Sequence, residues 1–232
     1  MRAPCPMLEV KEGLALRRHE KELTDEAVIG QVLDAAEWGV LGLPSLGGPP
    51  LLVPMNFVHL DGKVYFHGAH AGEKMEALKQ AGGSATFVVV DAYAQIPSYA
   101  FDPERACPAS QYFRSVLLQG RIGEVEDPAR KAAVLDALMR KLQPEGGYRP
   151  ITAEDPMYAG SVGAVAVLEL TVERRTAKCE LGQRLTPARR DVVRDLLAHR
   201  GGPGDLRTLE AMGDGPGSPG ACGAGPGAAP AS

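Results

Sequence analysis

Apolar residues recur in this chain at two different periods, and the change from one to the other marks its elements. Val28, Ile29, Val32, Leu33 and Ala36 repeat at three and four residues, predicting a helix that Thr24 caps and that runs to about Glu37. Strand-like runs follow at Gly39–Leu43 and Leu51–Leu60. Asp61-Gly62 then provides a two-residue hairpin turn into a second arm, Lys63 to His67. Continued along both arms, that register sets Phe57 opposite Phe66 and Asn56 opposite His67. Alternation groups Met55, Phe57, Val64 and Phe66 on one face, which suits a core. Asn56 and His67 share the other face with Pro54, Val58 and Tyr65.

Beyond the hairpin a short helix fits Gly72 to Gln80, with Met75 and Leu78 inward. A buried strand spans Ser84 to Asp91, and the proline-bearing segment from Ala92 to Ser110 reads as a long loop. Phe113 to Val125 is a further strand. Asp127-Pro128 starts a helix whose stripe is Val134, Leu135, Leu138 and Leu142. A last strand is expected from Val162 to Val172, and a last helix from Thr186 or Pro187 to about Arg200. Strands that follow hairpin to hairpin, with few helices between, predict a mainly β fold: an antiparallel barrel with peripheral helices rather than a doubly wound parallel sheet.

The chain has 232 residues, enough for one domain with a complete core. Residues 1–16 read as an N-terminal extension and 17–200 as the folded domain. From Gly201 to Ser232 the sequence is mostly Gly, Pro, Ala and Ser, which predicts a flexible tail. A net charge of −4, with no long Lys/Arg run, gives no footprint for nucleic acid. No apolar stretch approaches the roughly 18 residues of a membrane span, and none resembles a signal segment, so a cytoplasmic location is expected. Cys5, Cys107, Cys179 and Cys222 are far apart without a CxxC, which predicts unpaired thiols.

The chemistry concentrates between Val53 and Leu78. A strand ending in His67-Gly68 turns through Gly72 into a helix start that carries Lys74. Free amides and the positive helix end there suit a phosphate, and Lys74 adds a full charge. The plainer reading makes Lys74 a solvated helix residue. Pro54 has no N–H to give to a ladder and marks an edge or bulge.

Pro-Met-Asn-Phe at 54–57 and Phe-His-Gly-Ala-His-Ala-Gly-Glu-Lys at 66–74 resemble the paired segments that flank FMN in the pyridoxamine 5′-phosphate oxidase-like split barrels. The nearest variant is that of the nitroimidazole-resistance branch. Phe113 to Gly120, F-R-S-V-L-L-Q-G, is similar to a further family segment, and Glu173 to Lys178 more weakly to another. The resemblance covers roughly Arg17 to Lys178. It implies an antiparallel FMN-binding split barrel in which Pro54, Met55, Asn56 and Phe57 line the isoalloxazine ring. His67, Gly68 and Ala69 would lie along the ribityl chain and ring edge, with Gly72 at the turn and Lys74 on the phosphate. Arg114, Ser115 and Val116 would approach from a neighbouring strand of the same or the partner subunit, since the resemblance also implies a homodimer with the cofactor near its interface. Three positions depart from the family pattern: Glu73 stands where a cation is usual, Phe113 where Tyr is usual, and Ala177 where Gly is frequent. The first removes a charge from the phosphate site or shifts the phosphate to Arg114.

His67 is the candidate catalytic residue; its alternative is a histidine held by Asn56 or a backbone carbonyl. His59, His67 and His70 invite a metal, but His59 and His67 fall on opposite strand faces, so none is expected. The implied function is an FMN-dependent oxidoreductase acting on small aromatic or nitro compounds with an external electron donor. The alternatives are a non-catalytic flavin carrier, or a split barrel that binds haem or a deazaflavin.

Overall fold

The computed structural model describes residues 18–213 apart from Leu46, so the extension at 1–16 and the tail beyond Gly213 lie outside the described residues. The strands are β1 (Trp38–Leu43), β2 (Leu51–Asn56), β3 (Val58–Leu60), β4 (Lys63–Gly68), β5 (Ser84–Ile96), β6 (Ser110–Glu124) and β7 (Ala166–Glu180). The α-helices are α1 (Glu26–Ala35), α2 (Glu73–Gln80), α3 (Pro128–Leu142), α4 (Pro156–Ala164), α5 (Pro187–Arg200) and α6 (Pro203–Met212). The strands form one sheet in the order β2-β1-β5-β6-β7-β4-β3. β1 pairs antiparallel with β2 and β5, and β4 pairs antiparallel with β3 and β7. The chain divides into two compact units, Leu33–Val89 with Leu117–Arg175, and residues 18–32 with Val90–Val116 and 176–213.

The first unit is built on aromatic packing. Phe57, Phe66 and Phe87 are fully buried, and the ring of Phe87 meets each of the other two edge to face at 4.9 Å. Gly39 in β1 has no room for a side chain, because a Cβ there would collide with Phe87 and the Val88 carbonyl. The ammonium of Lys141 lies 3.8 Å from the Phe57 ring centroid and donates to the Leu33 carbonyl at 3.0 Å, in the last turn of α1. Burial pulls the Lys141 pKa down to about 8, with Asp34 and Glu37 opposing the fall. On the other side of the hairpin, Val58 and Tyr65 pack with Val134, Leu138 and Val167. The buried Tyr65 hydroxyl donates to Glu169 and accepts from Arg130, each at 2.7 Å, so its polar end is satisfied.

The hairpin has its expected turn, with positive φ at both Asp61 and Gly62, and pairs Leu60 with Lys63, His59 with Val64 and Val58 with Tyr65. It then stops. The run from Leu51 to Leu60 is two strands rather than one, and Asn56 pairs with Trp38 instead of His67, while His67 pairs with Val167. The expected Asn56–His67 pair is therefore corrected: β2 has left the hairpin for β1, and Phe57 fills the core between them.

Other boundaries move for identifiable reasons. Asp25, not Thr24, caps α1, its carboxylate accepting from the amides of Ala27 and Val28. The strand expected from Val162 begins at Ala166, because Asp155-Pro156 opens α4 in the same manner as Asp127-Pro128 opens α3. β5 continues past Asp91 to Ile96, shortening the expected loop.

In the second unit, the alternation of buried residues along β5 slips by one position, since Asp91 and Ala92 are both buried and Ala92 has φ 51°. That is the signature of a bulge. Asp91 is buried and pairs with the guanidinium of Arg114, and from Ala92 onward the bulge moves the buried phase to the even-numbered residues. Cys179 is buried and disulfide-bonded, correcting the expectation of unpaired thiols; Cys107 is free and exposed.

The flexible segment expected from Gly201 is also corrected over 203–212, which is α6. Pro203 occupies its first turn, and the Asp205 carboxylate accepts from the Gly202 amide at 3.1 Å while Arg200 Nε donates to it at 2.7 Å. Buried Arg190 donates to the carbonyl of Met212, and Thr208 and Met212 are completely buried. Ala211 and Met212 are the buried apolar residues of α6, while Leu206 is exposed and Leu209 half-buried. Met212→Ala is expected to cost about 2–5 kcal/mol in denaturant unfolding; a flexible segment would leave the midpoint unchanged.

Candidate functional site

The candidate site lies in the first unit, where β2, β4 and α2 come together. α2 packs against β1 and β2, and β2 also approaches β4. Gly72 precedes α2 with φ 108° and ψ 174°, a conformation that side-chain-bearing residues rarely adopt. Its carbonyl accepts from the amides of Met75 and Glu76 at 3.0 and 3.2 Å. Among the described residues the amides of Glu73 and Lys74 have no acceptor. Met75 and Leu78 anchor the helix inward, as the sequence predicts.

Lys74 folds back across the end of β4. A Cβ on Gly68 would strike the Lys74 ammonium, so the glycine leaves the space that this cation fills. Its Nζ lies 4.0 Å from the Met55 sulfur of β2. No carboxylate among the described residues lies within ion-pair distance of Lys74, and burial lowers its pKa. Glu73, the neighbour expected to weaken a phosphate site, is exposed. A half-buried ammonium without a counter-charge, beside two free amides, can receive an anion.

His67 is exposed at the end of β4. Partial desolvation first, and the charge of Lys74 second, hold its pKa below the ordinary imidazole value, so it is mainly neutral at pH 7. Ala69 is exposed in the turn that follows. Pro54 and Asn56 are exposed on β2, Met55 is half-buried, and Asn56 Nδ2 donates to the Glu37 carbonyl at 3.1 Å. Phe57 is the exception: its side chain is wholly inside the core, which leaves only its backbone to meet a ligand. Trp38, opposite Asn56 and 58 % exposed, escaped the sequence reading, although it is the chain's single tryptophan and begins a strand.

The remaining expected residues belong to the second unit. Arg114 is buried and donates to Asp91, and its Nε has no partner among the described residues. Ser115 is half-buried and Val116 fully buried on the same strand. The histidines are dispersed: His59 Nδ1 lies 3.4 Å from Asp34, and His70 Nδ1 lies 2.9 Å from Glu124. No group of three or more potential metal ligands occurs among the described residues. None of their helices is long and apolar enough to cross a membrane.

Residues 25–179 match the family model for pyridoxamine 5′-phosphate oxidase. Among solved structures, a candidate 5-nitroimidazole antibiotic resistance protein from Bacteroides thetaiotaomicron is 23 % identical with a TM-score of 0.54, over 68 % of this chain and 85 % of its own. A flavocytochrome from Azotobacter vinelandii is 26 % identical with a TM-score of 0.56, over 72 % of each chain. An FAD- and haem-binding protein from Mycobacterium smegmatis is 20 % identical with a TM-score of 0.56, over 69 % of this chain and 74 % of its own. No curated protein matches. With the family match extending over well more than half of its residues, the chain belongs to the pyridoxamine 5′-phosphate oxidase family, and its seven-stranded sheet is that family's split β-barrel.

Proposed function

We propose that this protein binds a flavin, FMN in the first instance, and uses it to reduce small aromatic or nitro compounds with electrons from an external donor. The observation that carries the proposal is Lys74, a partly desolvated ammonium that meets no carboxylate among the described residues and lies against Gly68 at the start of α2. Lys74 and the amides ahead of α2 would hold the phosphate. Pro54, Met55 and Asn56 would face the ring, with the Phe57 backbone beside them. His67, Gly68 and Ala69 would follow the chain between, and Gly72 would shape the turn. Arg114 is not assigned the phosphate, because Asp91 already neutralises it.

Bound flavin would supply hydride or single-electron chemistry. The chain's own contribution is orientation, and His67 is the group placed to hold or give up a proton. The relatives named for FAD and haem set the competing occupants, and flavin carriage without turnover is the competing activity. A visible spectrum of the purified protein, with the released cofactor weighed by mass spectrometry, separates FMN, FAD and haem. Reduction by NADH or NADPH with a nitro acceptor separates catalysis from carriage.

A homodimer and a cytoplasmic location complete the proposal. Trp38 and Leu52, 58 % and 62 % exposed, support the first by leaving apolar area beside Pro54 uncovered. Sedimentation should give twice the chain mass for the parent and a shift toward monomer for Trp38→Glu; a monomeric parent removes the dimer. In a reducing compartment the Cys179 disulfide would be unusual.

Lys74→Met should weaken FMN binding about 10- to 100-fold, the range for a charge-assisted hydrogen bond. It should leave the cofactor-free protein no less stable, because the burial that lowers the Lys74 pKa makes its charge a cost to the folded state. For the parent, affinity should fall as pH rises through that lowered pKa, before the ordinary lysine value of 10.5. Gly68→Ala should fold normally and yet bind FMN several-fold more weakly, since only the mobile end of Lys74 is displaced. Equal affinity in both variants would remove the phosphate from this place. His67→Ala should retain the fold and change turnover or flavin affinity; unchanged kinetics would take His67 out of the mechanism.

A further inference from the structure

The turn between β4 and α2 is fastened by one side chain that the flavin reading does not use. His70 lies in that turn, two residues before Gly72. Its Nδ1 lies 2.9 Å from Glu124 Oε1 at the end of β6, and its Nε2 lies 3.4 Å from the Gly163 carbonyl in α4. Nε2 is thus in hydrogen-bond geometry with a carbonyl, and Nδ1 is at ion-pair distance from a carboxylate. A neutral imidazole donates from one nitrogen only and would turn the lone pair of the other toward an oxygen. The imidazolium donates from both, and the Glu124 carboxylate adds attraction.

Few other groups compete for this ring. Glu124 is the one acidic partner of His70 among the described residues. α4 carries a single titratable residue, Tyr158, whose hydroxyl donates away to the Arg149 carbonyl at 2.8 Å. From the flanking elements, β4 brings His67 and α2 brings Glu73 and Lys74; the charge of Lys74 acts on His67.

We infer that His70 is a positioning residue that, when protonated, ties the anion-binding turn to β6 and α4, and so makes flavin retention depend on pH. This rests on the flavin reading for its consequence but not for the tie itself. The proton comes from solvent and returns to it. His70 is 44 % exposed at its side chain, so the effect is that of an exposed ion pair, about two- to five-fold.

Amide hydrogen exchange across residues 69–74 of the cofactor-free protein tests the tie, at about pH 6 and pH 8 after correction for intrinsic rates. The parent should be about two- to five-fold better protected at the lower pH. His70→Gln and Glu124→Gln should lose that difference, and His70→Arg, which donates at both values, should keep protection at both. FMN dissociation constants over the same range should follow the same order, with the titration of the phosphate itself common to every variant. If the exchange pattern appears but FMN does not bind, the tie stands and the flavin reading falls. If FMN binds and needs Lys74, but His70→Gln keeps the parent's pH dependence in both exchange and affinity, the inference is overturned.

Discussion

Phe57 is the one residue between β2 and β3, and those two strands are the opposite edges of the seven-stranded sheet. Laid flat, such edges would stand roughly 30 Å apart at the usual strand spacing. One residue reaches only about 3.5 Å. Within the first unit the sheet must therefore curl until its edges meet, and the residue at the seam must be inside. A fully buried phenylalanine, packed edge to face with Phe87 and with the Lys141 ammonium over its ring, meets that demand. The candidate site follows from the same seam. Once Phe57 turns in, Pro54 and Asn56 are left facing out, and β2 is brought beside β4 and α2.

The candidate site sets a cost in stability against the use proposed for it. Lys74 would be easier to hold with a carboxylate beside it or with its charge in water. Among the described residues it has no such carboxylate and its charge is partly withdrawn from water, so its proton affinity falls. Gly68 and Gly72 concede further order: one gives up a side chain to make room, and the other occupies backbone space that costs most residues strain. Three consecutive concessions in seven residues are hard to explain by packing, while a bound anion would offset all of them. The same reasoning separates Lys74 from Arg114, whose buried charge is already answered by Asp91.

Much of this was legible in the residues, and the failures have physical causes. The Asp61-Gly62 turn fixed three cross-strand pairs because turn geometry acts locally. It could not say that Asn56 would pair with Trp38 of β1 rather than with His67, since that competition is between segments distant in sequence. The Asp-Pro signature that revealed α3 was equally present before α4, but the run from Val162 to Val172 masked it with a strand-like composition. In α6, composition averaged over 32 residues hid a ten-residue helix anchored by the buried Thr208, Ala211 and Met212 and by the Arg200–Asp205 pair. Lys74, Gly72 and Gly68 were singled out as candidates from the motif. Trp38 and the partners of His70 were not, because their significance arises only from pairing across the sheet or from contacts beyond it.

The bulge at Asp91 and Ala92 lets one strand be read in two phases. Odd-numbered residues of β5 are buried up to Val89, and even-numbered ones from Ala92 to Ile96. Each phase serves the unit in which it lies. Chain length at that point is thus constrained more tightly than residue identity. Substitutions along β5 can be tried one side chain at a time, but a single deletion at Ala92 would turn every following residue of the strand to the wrong face, and divergence in this family should leave the count of residues there untouched.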